Sequence, residues 1–272
     1  MISHHHKCIF VHIPKNAGQS IEHVFLDLLD LTWETRAPLL LRNNDKTELG
    51  PPRLAHLKAK EYVPCKYLTH EQFDSYFKFA IVRNPWDRLV SFYKYFGYTL
   101  RMDFKTFVIK EFRENVWTRK YWFVAPQTEF VCDDEGKIIV NYIGRFEKLQ
   151  NDFDYVCEAL NLPKIEVPRV NVSKKTHQEG SKERAKKAFQ RFKQVFRHNS
   201  LPALTRRVFK SIYLRVTNKP YPLFDSYKDY YDEETRGLAA KMYKTDIDLF
   251  GYTFEKQEPD LPESLNNKNW PD

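Results

Sequence analysis

The chain has 272 residues, of which 42% are hydrophobic and 15% aromatic, so one sizeable core in a single domain spanning residues 1–272 is expected. No apolar run approaches the roughly 20 residues of a membrane-spanning helix, and the polar start at residues 1–7 does not have the pattern of a signal peptide. The four cysteines have neither zinc-ligand nor disulfide-framework spacing, which argues against a metal site and favours a reducing cytoplasm.

The first half of the chain contains two strand–loop–helix units. Residues 7–13, KCIFVHI, form a short apolar run that predicts a buried parallel strand. After a break, apolar residues recur at helical spacing from Ser20, a candidate N-cap. Residues 77–82 predict a second strand, followed by a helix with Asn84 as N-cap and Pro85 in its first turn.

Further helices and one hairpin follow. Helices are predicted at residues 104–112, 146–160 and 233–250, and a hairpin at residues 130–131 and 138–143 around a turn at 133–136. Strands that alternate with helices predict an α/β fold, a P-loop-like parallel sheet flanked by helices. Ligands of such sheets bind beyond the C-terminal strand ends, where the helices begin.

The loop between the first strand and its helix is suited to bind an anion. It reads Lys15-Asn16-Ala17-Gly18-Gln19-Ser20. A helix N-terminus offers unpaired N–H groups and a positive dipole end, Gly18 allows close approach, and Lys15 and Ser20 add a charge and a hydroxyl. The loop lacks the Walker pattern GxxxxGK[ST], and plain strand-to-helix architecture stays open as an alternative.

The second strand end carries another anion-binding candidate, Arg83, with Ser91 about two turns into the following helix. Arginine makes forked hydrogen bonds to phosphate oxygens. Two phosphate sites on neighbouring strand ends fit a nucleotide phosphorylated at both its 5′ and 3′ positions. The alternative is that Arg83 pairs with Asp87 as a salt bridge at the helix start.

At these residues the chain resembles the PAPS-dependent sulfotransferases, in particular the group with the Golgi carbohydrate 2-O- and 4-O-sulfotransferases and their bacterial relatives. Residues 10–20, FVHIPKNAGQS, resemble the family's 5′-phosphosulfate loop, usually HIPKTAGTS. Residues 79–88, FAIVRNPWDR, together with Ser91, resemble its 3′-phosphate motif. Residues 143–149 and 230–252 resemble later blocks, so the resemblance covers most of the chain except about residues 178–222.

The resemblance implies a sulfotransferase that binds 3′-phosphoadenosine 5′-phosphosulfate, requires no metal, and sulfates a hydroxyl of a carbohydrate. The expected donor contacts are Lys15, Asn16, Ala17, Gly18, Gln19, Ser20, Arg83, Ser91, Ser173 and Lys174, the last two in a loop resembling one that closes over the nucleotide. Asn16 and Gln19 stand where the family motif has threonines, and either change weakens a hydroxyl contact.

Sulfuryl transfer needs a base for the acceptor hydroxyl and a cation for the leaving phosphate. We assign the cation to Lys15 and the base to His56, which has an HxxA context similar to that of a catalytic histidine in the family. A position near a helix start favours the neutral imidazole that a general base needs. A surface role for His56 stays open; His70 is the next candidate, and His12 is expected to be a packed strand residue.

Contacts to the acceptor are expected from Arg53, Trp122 and Gln127. The segment at residues 122–127 resembles a family segment near the acceptor cleft, where Trp122 stacks on a sugar ring and Gln127 bonds a hydroxyl. Aromatic residues around Trp122 are as often part of a hydrophobic core, and this alternative stays open.

A basic helical insertion is predicted at residues 178–222. Residues 174–219 carry 14 Lys and Arg against two acids, a net charge of +12, whereas the rest of the chain is net −4. Apolar residues at helical spacing predict two amphipathic helices. The alternatives are a packed helical pair with a solvated face, capture of an anionic polysaccharide, and peripheral contact with an anionic membrane.

Two other functions remain open. A phosphate-binding loop in an α/β chain also occurs in nucleotide and small-molecule kinases, although the Walker glycines and an obvious Asp for Mg²⁺ are missing. The basic segment alone fits a non-catalytic polyanion binder, but no nucleic-acid partner is expected.

Overall fold

The computed structural model describes residues 1–170 and 221–256. Within these residues one sheet has the strand order β1 Ile2–Ser3, β2 Cys8–Val11, β3 Phe77–Val82 and β4 Tyr142–Arg145. The β1–β2 pair is antiparallel, whereas β2–β3 and β3–β4 are parallel. The predicted α/β class with a parallel sheet is therefore confirmed, and one short antiparallel strand is added at its edge.

Helices connect and cover these strands. The α-helices are α1 Gly18–Leu28, α2 His70–Ser75, α3 Pro85–Tyr95, α4 Phe104–Thr106, α5 Trp117–Arg119, α6 Tyr121–Val124, α7 Thr128–Val131, α8 Leu149–Ala159, α9 Glu233–Met242 and α10 Lys244–Phe250. A π-helical stretch, Phe107–Val116, joins α4 to α5. Single 3₁₀ turns lie at Ala37–Leu39, Thr47–Leu49, Leu54–His56, Ala59–Glu61, Tyr98–Leu100, Phe146–Lys148 and Tyr227–Tyr230.

The sheet is buried on both faces. Alternate residues of each strand point to opposite faces, so a strand buried at every residue has both faces covered. Every residue of β2 and β3 is buried. Val11 and Val82 join a hydrophobic cluster that includes residues of α3 and α9. Phe10 and Phe79 join a second cluster that includes residues of α1 and α8. Because β2 and β3 are parallel neighbours, their C-terminal ends lie side by side at one edge of the sheet.

The predicted elements are confirmed in most places and wrong in some. The strand Phe77–Val82 and the cap of α3 match the prediction, and the Asn84 side chain accepts hydrogen bonds from the backbone of Trp86 and Asp87. Helix α1 begins at Gly18, so Ser20 lies inside its first turn and is not the N-cap. The helix predicted at residues 233–250 is divided into α9 and α10 at Tyr243.

The predicted hairpin at residues 130–143 is confirmed at its turn and wrong in its first arm. Phe130 and Val131 are buried residues of α7, and the turn is closed by a single bridge between Cys132 and Ile138. The second predicted arm contributes instead to β4, which pairs in parallel with β3. Two adjacent apolar residues carry no periodicity, so the sequence could not distinguish a buried helix from a strand at this position.

Some predictions fall outside the part of the chain that the structure describes. They are the donor contacts Ser173 and Lys174 and residues 178–220 of the basic insertion. Within residues 1–170 and 221–256, no helix is long and apolar enough to cross a membrane.

Candidate functional site

The loop after β2, here called the Lys15 loop (residues 12–17), has an unusual backbone. Lys15 and Ala17 both have positive φ, at 73° and 60°. Such conformations cost a non-glycine residue free energy and cluster at ligand sites. They fold the loop so that α1 begins at Gly18, which brings the N-terminus of α1 next to Lys15.

The φ of Gly18 is not positive, so its backbone conformation does not require glycine. Close packing against His12 is the reason for a glycine here. A Cβ at this position would overlap the ring of His12, nearest to Nε2. His12 cannot easily move away, because its Nδ1–H donates to Oε1 of Glu22 at 2.6 Å and its ring stacks on Phe10. His12 is buried and packed, as the sequence predicts, and it also supports the start of α1.

Lys15 is a half-buried cation with a perturbed titration. Burial, and secondly the charge of Arg83, lower the pKa of Lys15 to about 8. Its ammonium lies 4.1 Å from the ring centroid of Tyr95. Among residues 1–170 and 221–256, no carboxylate forms an ion pair with Lys15. An anion bound there would compensate this charge.

The Arg83 turn (residues 83–84) lies directly against the Lys15 loop. Arg83 Nη1 donates to the carbonyl of Lys15 at 3.0 Å, and its guanidinium lies 4.0 Å from the ring centroid of Phe146. Arg83 also pairs with Asp87, through Nε at 2.9 Å and Nη2 at 2.8 Å. The alternative Asp87 pair therefore exists, and the two predicted anion-binding loops are nevertheless neighbours.

The remaining predicted donor residues lie on the helices that follow these loops. Ser20 is buried in the first turn of α1, and its backbone N–H donates to the carbonyl of Ala17. Gln19 is half-buried beside it. Ser91 is half-buried on α3, one turn beyond Asp87.

His56 is buried, with 6% of its surface exposed, at the end of the 3₁₀ turn Leu54–His56. Its Nδ1–H donates to the carbonyl of His12 at 3.0 Å, so Nε2 is the acceptor nitrogen. Burial, and secondly the neighbouring His12, hold the pKa of His56 well below its usual value. The sequence analysis attributed the neutral imidazole to the positive end of a helix dipole. This cause is wrong, because His56 is the last residue of the turn Leu54–His56. The imidazole is neutral nonetheless.

Aromatic rings connect His56 to the surface. The His56 ring is 6.0 Å from the half-buried Trp122 and 5.2 Å from Phe123, which in turn stacks on Tyr95 at 5.6 Å. Arg53 is exposed, and its Nη1 donates to the Tyr95 hydroxyl at 3.4 Å. The structure therefore links Arg53, Trp122 and His56 through one connected group of aromatic side chains.

Tyr95 is a residue of this aromatic group that the sequence analysis missed. It is 48% exposed and lies between Lys15 and Phe123. The sequence did contain a signal for it. Tyr95 lies one turn beyond Ser91 on α3, and residues four apart share a helix face, so Tyr95 could have been predicted to lie on the same face as Ser91. His70, the alternative base, is instead exposed at the first residue of α2.

The side chains of Asn16 and Gln127 are buried and hydrogen-bonded to each other. Asn16 is buried, and its Nδ2 donates to the Ile81 carbonyl and to Oε1 of Gln127, each at 2.7 Å. Gln127 has no exposed surface and also bonds the backbone of Arg83. The predicted bond from Gln127 to an acceptor hydroxyl does not fit this geometry, since both atoms of its amide have protein partners.

No group of three or more His, Cys, Asp or Glu side chains that could hold a metal ion occurs in the part of the chain that the structure describes. The polar groups gathered at the two strand ends include two cations, two imidazoles and a helix N-terminus, which suit anionic ligands, beside the carboxylates of Asp87 and Glu147.

Comparisons with known proteins agree with this chemistry. A sequence model of the sulfotransferase family matches residues 1–253. An uncharacterized protein of Archaeoglobus fulgidus is 30% identical over 104 residues, which cover 37% of this chain and 81% of that protein. No solved structure gave a significant match.

Proposed function

Because the chain belongs to the sulfotransferase family, we propose that it moves the sulfuryl group of 3′-phosphoadenosine 5′-phosphosulfate to a hydroxyl of a carbohydrate. The observation that carries this proposal is the hydrogen bond from Arg83 to the Lys15 carbonyl. It joins two anion-binding groups at the ends of adjacent parallel strands, where one nucleotide with two phosphate groups can span them.

The residues present fit such a donor. The desolvated charge of Lys15 and the N-terminus of α1 suit the 5′-phosphosulfate, since both attract an anion. The guanidinium of Arg83, with the Ser91 hydroxyl farther along α3, suits the 3′-phosphate. Ser173 and Lys174 stay predicted contacts from outside the described residues.

His56 acts as the general base in this proposal. Its Nδ1–H is held by the His12 carbonyl, which fixes the tautomer and directs basicity to Nε2. Since burial keeps the imidazole neutral at physiological pH, Nε2 can take the proton of the acceptor hydroxyl as that oxygen attacks sulfur. Lys15 then stabilises negative charge on the phosphate oxygen that leaves.

The side chains around His56 support a carbohydrate acceptor in this proposal. The half-buried Trp122 offers an aromatic surface for a sugar ring, and the exposed Arg53 offers a cation for an anionic substituent. Arg53 and Lys15 are linked through Tyr95, so the acceptor and donor regions are contiguous.

Substitution of His56 with alanine tests the proposal, with the exposed His70→Ala as the matched control. We expect His56→Ala to abolish sulfuryl transfer from labelled donor to a glycan panel, while affinity for 3′-phosphoadenosine 5′-phosphate stays nearly unchanged. His70→Ala should retain full activity. Transfer that persists in His56→Ala would contradict the assigned base, and a thermal shift with ATP–Mg²⁺ but not with the bisphosphate would favour a kinase.

A further inference from the structure

The Gln127 side chain lies between the two anion-binding loops and bonds to both. Its Oε1 accepts hydrogen bonds from the backbone N–H of Arg83 at 2.9 Å and from Asn16 Nδ2 at 2.7 Å. Its Nε2 donates to the carbonyl of Arg83 at 2.8 Å. One buried amide therefore fixes both backbone groups of Arg83 and a side chain of the Lys15 loop.

Gln127 is itself anchored from the opposite side. Its backbone N–H donates to Oδ2 of Asp246 at 2.8 Å, and the N–H of Thr128 donates to Oδ1 at 2.9 Å. Asp246 has no exposed surface. Because buried hydrogen-bonded networks hold one geometry, α10 supports Gln127 in a fixed position.

The Asn16 side chain completes the link between the loops. Its Nδ2 uses two hydrogens, one for the Ile81 carbonyl at the end of β3 and one for Gln127. Threonine, the residue of the family motif at this position, has a shorter side chain and a single hydroxyl hydrogen. It could not donate to both acceptors.

We propose that Gln127 is a positioning residue that fixes the separation between the Lys15 loop and the Arg83 turn, and so makes the protein selective for ligands carrying two phosphate groups. This inference rests on the proposed function and names its structural basis. Once one phosphate is bound, the second binds intramolecularly, with an effective concentration that depends on how well the two sites are spaced. A ligand with a single phosphate gains nothing from that spacing.

Calorimetric titration of Gln127→Met and Asn16→Thr tests the proposal. Methionine keeps the shape of glutamine but removes all its side-chain hydrogen bonds. We expect Gln127→Met to lose at least about tenfold in affinity for 3′-phosphoadenosine 5′-phosphate, and Asn16→Thr to lose less. Affinities for adenosine 5′-monophosphate and adenosine 3′-monophosphate should change by no more than about twofold.

Gln150→Met is the matched control. Gln150 also bridges the chain, through Asp154 and the backbone of residues 165 and 167, but it has no bond to either anion-binding loop. This variant should keep the wild-type preference for the bisphosphate. If Gln127→Met does not fold, Asn16→Thr carries the test, because threonine is the family residue at that position.

The possible outcomes separate the two proposals. A wild-type protein that binds the bisphosphate no more tightly than the monophosphates would overturn both. A wild-type preference that Gln127→Met and Asn16→Thr retain, or equal losses for all three nucleotides, would overturn the positioning role alone and leave the proposed function intact.

Discussion

Replacement of Gly18 with alanine tests the packing that supports the start of α1. The added Cβ would lie closer to the His12 ring than the 3.0 Å below which real Cβ contacts essentially never occur. His12 is buried and bonded to Glu22 at 2.6 Å, so the ring can make room only by losing that bond or by shifting the Lys15 loop.

The expected cost follows from these two contributions. Overpacking of a buried position costs about 1–3 kcal/mol, and loss of a hydrogen bond to a charged group about 1.5–3 kcal/mol. We therefore expect Gly18→Ala to lower the free energy of unfolding by about 2.5–6 kcal/mol. For a chain of this size the melting temperature should fall by roughly 5–15 °C.

Thermal unfolding measured by circular dichroism provides the assay, and Gly237→Ala is the matched control. Nothing lies within 4 Å of a Cβ at Gly237, which is inside α9. Alanine should stabilise that helix by about 0.5–1 kcal/mol. A Gly18→Ala protein that melts at the wild-type temperature, or above it like Gly237→Ala, would refute the packing argument.

Three more predictions concern charge and titration. Affinity for 3′-phosphoadenosine 5′-phosphate should fall as pH rises through about 8, where Lys15 loses its proton, and calorimetry on Lys15→Met should show no such fall. His56 is neutral in the folded protein and protonates more readily when unfolded, so stability should decline below pH 6.5; His56→Gln should reduce the slope by up to about 1.4 kcal/mol per pH unit in urea titrations. Asp246→Asn should cost about 1–3 kcal/mol, because one of two backbone N–H groups loses its acceptor; an unchanged urea midpoint would contradict this role.

The strand Phe77–Val82 could be predicted from the sequence more accurately than the segments around the sheet. Phe77–Val82 could be predicted to the residue, because an apolar run between polar segments is typical of a strand buried on both faces. The pairing of β4 with β3 could not be predicted, since its partner is more than 60 residues away and local periodicity carries no information about it. The helical state of Phe130 and Val131 likewise depends on core packing.

The candidate site shows the same division. Adjacency of Lys15 and Arg83 could be predicted, because C-terminal ends of neighbouring parallel strands meet at one sheet edge. The position of Gln127 could not, since two of its three side-chain bonds are to the backbone of Arg83, 44 residues away, and backbone partners leave no mark on the sequence pattern. The neutral state of His56 was predicted, but from a helix dipole rather than from its burial.

A crystal structure of the complex with 3′-phosphoadenosine 5′-phosphate tests the central claim most directly. We expect one nucleotide to span the two loops, with its 5′-phosphate at Lys15 and the N-terminus of α1 and its 3′-phosphate at Arg83. A nucleotide that contacts only one of these two side chains, or that binds away from the ends of β2 and β3, would contradict the account.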